Sequence, residues 1–84
     1  MKVERKIVRI DELEALALDE LRKNPWCRGA TRVFIAPRLE IHPITRGYWA
    51  PTRVHAGVSG VEACKREVWC VCERLGRHYE LAIE

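Results

Sequence analysis

The sequence has no long apolar run, no low-complexity tract and no internal repeat. A membrane-spanning helix needs about 18 or more consecutive apolar residues, so we expect no span and no membrane partner. The first residues, Met-Lys-Val-Glu-Arg-Lys, are charged, whereas a signal peptide has an apolar middle. We therefore expect a cytoplasmic protein. Because 84 residues suffice for one hydrophobic core, we predict a single domain over residues 1–84.

Motifs typical of catalytic sites are also missing. There is no glycine-rich phosphate loop, no paired-carboxylate pattern and no metal motif. We therefore expect a protein that is not an enzyme and that needs no cofactor. One alternative stays open at Cys27, which precedes Arg28, because a neighbouring cation favours the reactive thiolate. No local pattern connects a histidine to this cysteine, as nucleophilic catalysis would require.

The cysteines do not have the spacing of a zinc site. Structural zinc sites usually take cysteine pairs separated by two to four residues, and the chain has no Cys-x-x-Cys. Cys70 and Cys72 are separated by one residue on a predicted strand, where they would face the same side. We predict no metal site. In a reducing compartment we also expect free, mostly buried thiols and no disulfides. The cysteines and histidines considered are Cys27, Cys64, Cys70, Cys72, His42, His55 and His78.

Lysine is missing from the middle of the chain, and acidic residues are scarce there. Residues 26–55 contain five arginines against Glu40 alone, a net charge of +4, while the rest of the chain sums to −1. Four of the six aromatic residues lie in the same segment. Arginine binds carboxylates and phosphates through two hydrogen bonds, and Trp, Tyr and Arg dominate binding hot spots.

This segment predicts a binding surface made of Trp26, Arg28, Arg32, Arg38, Arg46, Tyr48, Trp49 and Arg53. The favoured partner is a larger protein with an acidic surface, which the chain would occlude or recruit. The alternative is nucleic acid, bound by the same residues through phosphate contacts and base stacking. A third interpretation places the aromatic side chains in the core, so the exposure of Trp26 and Trp49 becomes the decisive observation.

The size and the lack of motifs suit the small accessory proteins of phages and prophages, including inhibitors of host defence complexes. Two oligomeric states, monomer and homodimer, remain open, because an edge strand at either end of the domain could pair across a two-fold axis.

Hydrophobic periodicity predicts one main helix over residues 11–23. Asp11 has the position of an N-cap and Glu14 that of its capping-box partner, while Asn24-Pro25 ends the helix. Alternating or β-branched segments predict strands over residues 2–10, 31–36, 38–42 and 52–55. The first is predicted as an edge strand, and Pro51 limits the last to an edge strand or a loop.

The last third of the sequence predicts a short helix and a hairpin. Ser59 and Glu62 form a capping-box pattern before a helix over about 60–66. Residues 67–73 and 78–83 predict a C-terminal β-hairpin that turns at Gly76. The expected fold is α+β, with an antiparallel or mixed sheet of about four to five strands and the main helix on one face.

Overall fold

The computed structural model describes residues 5–57 and 60–82, which form two α-helices, one short 3₁₀ helix and two sheets of two strands each. The elements in chain order are β1 (Lys6–Val8), α1 (Ile10–Arg22), the 3₁₀ helix (Pro25–Cys27), β2 (Arg32–Pro37), β3 (Trp49–His55), α2 (Val61–Gly76) and β4 (Tyr79–Leu81). The predicted α+β class is confirmed. The strands do not form one sheet of four to five strands, since they pair as β1–β4 and β2–β3.

Helix α1 confirms the main predicted helix, but its N-terminus differs from the prediction. Leu13, Ala17 and Leu21 recur at intervals of four and are fully buried, which gives the helix its apolar face. The N-cap is Arg9, without a side-chain capping bond, and Asp11 lies inside the first turn. The predicted capping box is therefore wrong. Asp11 still acts favourably on the helix dipole.

Helix α2 replaces the predicted short helix and hairpin. It begins at Val61 and continues to Gly76, so the segment predicted as a strand over 67–73 is helical. The buried side chains have helical spacing, and they are Cys64, Val68, Val71, Cys72 and Leu75. Gly76 is the last helical residue and has no positive φ, so the predicted turn there is wrong. Ser59 lies outside the described residues.

The two strand pairs differ in direction. Strands β1 and β4 are parallel, with Val8 opposite Leu81, so the C-terminal strand pairs with the first strand rather than with its neighbour in sequence. The edge strand predicted over 2–10 is seen at Lys6–Val8, and residues 2–4 lie outside the described part.

Strands β2 and β3 are antiparallel and contain a bulge. Phe34 pairs with Arg53 and Ile35 with Pro51, which leaves Thr52 as the extra residue. Pro51 lies inside β3 at the bulge. Proline has no N–H to donate, and the pairing is already irregular at a bulge, so the missing hydrogen bond destabilises the sheet least there. The strand predicted over 38–42 is wrong, because these residues belong to the loop between β2 and β3.

The β2–β3 pair has one covered face and one open face. Helix α1 packs on β2, α2 packs on β3, and the helices pack on each other. Val33 and Ile35 of β2 and Trp49 of β3 enter the core between these layers. The opposite face of the pair carries the exposed residues of the two strands.

The loop of residues 38–48 is fixed to α2. The His42 ring stacks on Trp69 with ring centroids 5.2 Å apart. The Thr45 hydroxyl donates to the Trp49 carbonyl at 2.7 Å, and a Cβ on Gly76 would collide with the Thr45 carbonyl oxygen. Gly76 is therefore required by close backbone approach, and the loop is a packed part of the fold.

Candidate functional site

The two tryptophans of the predicted surface lie in different environments. Trp26, on the 3₁₀ helix, is 75% exposed, whereas Trp49 is 0% exposed in the core. Trp49 therefore cannot belong to a binding surface of the folded chain, and its place in the predicted set has to be corrected. The indole N–H of Trp49 is buried without a hydrogen-bond acceptor among the described residues.

One subset of the predicted residues lies on the open face of β2–β3. Arg32 and Phe34 alternate with the buried Val33 and Ile35, and their direct partners across the pair are His55 and Arg53. The Arg32 guanidinium lies 4.5 Å from the centre of the Phe34 ring, and the His55 ring meets Phe34 edge-on at 5.1 Å. Because β2 and β3 contain no acidic residue, we call these four residues the basic face.

A second subset lines a groove of about 800 Å³. Arg38 and Leu39 from the loop after β2 form part of it with Tyr48, just before β3. The start of α1, the end of β2 and the end of β4 supply the other lining residues, which include Arg9, Ile10, Asp11, Pro37 and Leu81. Leu39 is 100% exposed, and Ile10 and Tyr48 are also exposed. We call this the apolar groove.

Hydrogen bonds hold the walls of the apolar groove in place. The Arg38 N–H donates to the Tyr48 carbonyl at 2.8 Å, which closes the loop at its base. Glu80 of β4 accepts from the Tyr48 N–H at 3.2 Å, and it also pairs with the Arg5 guanidinium at 3.2 Å. Arg5 in turn donates to the Arg46 carbonyl at 2.7 Å. The loop and the β1–β4 pair are thus linked through one carboxylate.

The remaining predicted residues lie outside both subsets. Arg46 sits at the loop's turn with φ 57°, and Arg28 is exposed after the 3₁₀ helix that carries Trp26. The side chains of Arg28, Arg38, Arg46 and Arg53 make no hydrogen bond or ion pair with the other described residues. Four of the five arginines in the middle segment are therefore available to an external anion.

Ile10 and Leu39 of the apolar groove are not in the binding surface predicted from the sequence, and neither are Phe34 and His55 of the basic face. The alternation of residues 38–42 resembles a strand, so Leu39 was assigned to a strand rather than to an exposed loop. Pro37 and Pro43 flank this run and together signal a loop instead.

The four cysteines are free thiols, and three of them are buried. Burial, with the adjacent Cys64 thiol, raises the pKa of Cys27 to about 12, which opposes the alternative of a reactive thiolate beside Arg28. Burial also raises the pKa of Cys72 to about 12, while Cys70 is exposed on the same helix. Within residues 5–57 and 60–82, no three His, Cys, Asp or Glu side chains come together as metal ligands.

Neither helix in the described ranges is long and apolar enough to cross a membrane. Comparison of the chain with protein-family models, with curated proteins and with solved structures gave no match.

Proposed function

We propose that this chain is a non-enzymatic binding protein that holds an acidic segment of a larger protein, with an apolar anchor, in the apolar groove. The observation that carries the proposal is the full exposure of Leu39 beside the exposed side chains of Ile10 and Tyr48. Clustered exposed apolar residues with a polar rim are typical of protein interaction sites.

The charge around the groove favours an acidic occupant. Arg9 and Arg38 line it against one carboxylate, Asp11, and the Arg38 side chain has no partner within the described residues. Nearby in sequence, Glu40 is the one acid of residues 26–55. An acidic segment would be steered to this surface, and arginine would pair with its carboxylates through two hydrogen bonds.

The fixed walls of the groove favour affinity. Both ends of the loop are tied down, by the Arg38–Tyr48 bond at its base and by the bond from Tyr48 to Glu80. A partner would therefore bind a preformed surface and would lose little free energy in ordering it. Binding of this kind, without turnover, would occlude or recruit the partner, which is the role of an inhibitor or accessory protein.

Selection from a random peptide library on the immobilised chain tests the proposal. The selected peptides should carry acidic residues around an aromatic or aliphatic anchor, and they should shift the amide resonances of Ile10, Leu39 and Tyr48. Leu39→Asp should weaken binding by about tenfold or more, since it places a carboxylate at the anchor. Val61→Asp is the matched control, because Val61 is exposed on α2 and lies outside the groove. Peptides without acidic enrichment, or equal loss in both variants, would refute the groove.

The basic face supports a second candidate function, binding of single-stranded nucleic acid. Two arginines and two aromatic rings on an acid-free sheet face could hold phosphates and stack bases. This candidate predicts that the affinity for a labelled oligonucleotide falls steeply as salt rises, because bound phosphates release counterions.

An anisotropy titration with a labelled single-stranded oligonucleotide tests the second candidate. Arg53→Gln should weaken binding at low salt, whereas Arg66→Gln, an exposed arginine on α2, should leave it unchanged. A flat salt response, or equal effects of the two variants, would rule out the basic face.

A further inference from the structure

Two buried thiols from different elements lie in contact. Cys27 of the 3₁₀ helix and Cys64 of α2 have their sulfurs 2.7 Å apart, and both side chains are 0% exposed. A disulfide bond is about 2.0 Å long, so the sulfurs need to approach by only about 0.7 Å. We propose that Cys27 and Cys64 are a modification site, at which a low-molecular-weight disulfide such as oxidised glutathione converts the pair into a reversible intramolecular disulfide.

The reaction proceeds by two thiol–disulfide exchanges. The thiolate of one cysteine attacks the small disulfide, which forms a mixed disulfide and releases one small thiolate. The second cysteine then loses its proton and attacks the protein sulfur of the mixed disulfide. The Cys27–Cys64 bond forms and the second small thiol leaves. The protein loses two protons and two electrons, and the oxidant gains them as two thiols.

The arrangement selects this pair over the other cysteines. Cys72 is buried on α2 and Cys70 is exposed, and neither thiol has a sulfur partner among the described residues. Cys27 belongs to a helix of only three residues, which the Asn24 side chain caps at the Trp26 N–H. Opening of this short helix would expose Cys27 without unfolding α1 or α2.

Burial sets the rate of the exchange. Desolvation and the Cys64 thiol raise the pKa of Cys27 to about 12, so little thiolate forms at neutral pH. Oxidation of the folded chain should therefore be slow. Once formed, the buried disulfide is shielded from external thiols and should also be reduced slowly.

The cross-link would join residues 37 apart in sequence and enclose β2 and β3. Closing a loop of this length restricts the unfolded chain and should raise the melting temperature by about 10 °C or more.

The test is to equilibrate the purified full chain with a buffer of oxidised and reduced glutathione and to measure its intact mass and melting temperature. The expected product is lighter by about 2 Da, the mass of two hydrogens, and yields a Cys27–Cys64 cross-linked peptide. Its melting temperature should exceed that of the reduced chain. A second sample of the chain is oxidised in urea and then refolded. It should give the same product as the first sample if equilibrium was reached.

Four variants separate this pair from other disulfides. Cys27→Ala and Cys64→Ala should each abolish the mass loss and the rise in melting temperature, while Cys70→Ala and Cys72→Ala should keep both. The proposal would be overturned if the wild-type chain at equilibrium kept four free thiols. It would also be overturned if the chain contained only glutathione adducts and no cross-link. A cross-linked peptide that contains Cys70 or Cys72 would overturn it as well. These wild-type measurements stand even if an alanine variant fails to fold.

Discussion

At the scale of the residue, the Glu14 carboxylate shows how a single side chain stabilises an irregular strand. Its Oε2 accepts the Ile35 N–H at 2.8 Å, next to the bulge where β3 has one residue too many for regular pairing. The Glu14 carboxylate on α1 therefore supplies the acceptor for this backbone N–H of β2. A buried N–H without an acceptor would cost free energy of folding. This hydrogen bond connects α1 to β2 beside the bulge.

Glu14→Ala should lower the free energy of unfolding by about 1.5–3 kcal/mol, the range for a hydrogen bond to a charged acceptor. Glu14→Gln, which keeps an acceptor oxygen, should recover part of this loss. Urea denaturation measures both. Asp19→Ala, on the exposed side of the same helix, serves as the control and should change stability by less than about 0.5 kcal/mol.

Gly76 gives a second prediction for a single residue. Alanine in place of glycine in a helix normally stabilises by about 1 kcal/mol. Here the new methyl group would meet the Thr45 carbonyl, so Gly76→Ala should instead destabilise by about 2 kcal/mol or more. The control is Gly60→Ala, where a Cβ meets open space and the effect should stay within about 1 kcal/mol. Thermal denaturation measures both variants. Equal changes of melting temperature in Gly76→Ala and Gly60→Ala would contradict the close contact between Gly76 and Thr45.

At the scale of the element, α2 shows where the sequence was informative and where it was not. Its Val, Trp and Cys content favours a strand locally, but Cys64, Val68 and Val71 already have helical spacing. Helix α1 was predictable because its polar and apolar faces separate clearly. The parallel pairing of β4 with β1 was not, since short strands contain no information about a partner at the other end of the chain.

The same contrast applies to the candidate site. The arginine and aromatic composition predicted a binding segment over residues 26–55, but it could not distinguish Trp26 from Trp49. Both are tryptophans in short elements, and only tertiary packing buries one and exposes the other.

Helix α2 also makes stability depend on alkaline pH, through Cys72. Burial raises the pKa of this thiol from 9.0 to about 12, so the unfolded chain ionises first. The buried Cys72 thiol therefore makes its full contribution to the free energy of unfolding below pH 9. This contribution should be lost as the pH rises towards 12, with a loss of about 2 kcal/mol at pH 10.5. Urea denaturation between pH 8 and pH 10.5 measures this slope. It should be shallower in Cys72→Ala, and an unchanged slope would exclude Cys72 as its source.

At the scale of the whole molecule, Glu80 connects segments that are far apart in sequence. It accepts from Tyr48 and pairs with Arg5, so one carboxylate joins β4, the chain before β1 and the loop beside the groove. Both charged side chains are mostly shielded from water, which makes this pair more effective than a surface ion pair.

Glu80→Ala should therefore lower the free energy of unfolding by about 1–3 kcal/mol and broaden the amide resonance of Tyr48, because the loop loses its tie to β4. Glu73→Ala breaks the exposed ion pair with Arg77 on α2 and should cost less than about 0.5 kcal/mol. Chemical denaturation and amide spectra of both variants check the difference. An unchanged Tyr48 resonance in Glu80→Ala would show that the loop is held by other contacts.

The parallel pairing of β1 with β4 also has a consequence for how the chain acquires its fold. Lys6 pairs with Tyr79, so the first strand stays without its partner until the residues of β4 have been synthesised. Contacts over such a separation are slow to form, because the loop must close before they contribute free energy. Helix α1 and the β2–β3 hairpin are local and can form earlier in synthesis. The docking of β4 then pairs β1 and, through Glu80, connects β4 to the loop beside the groove.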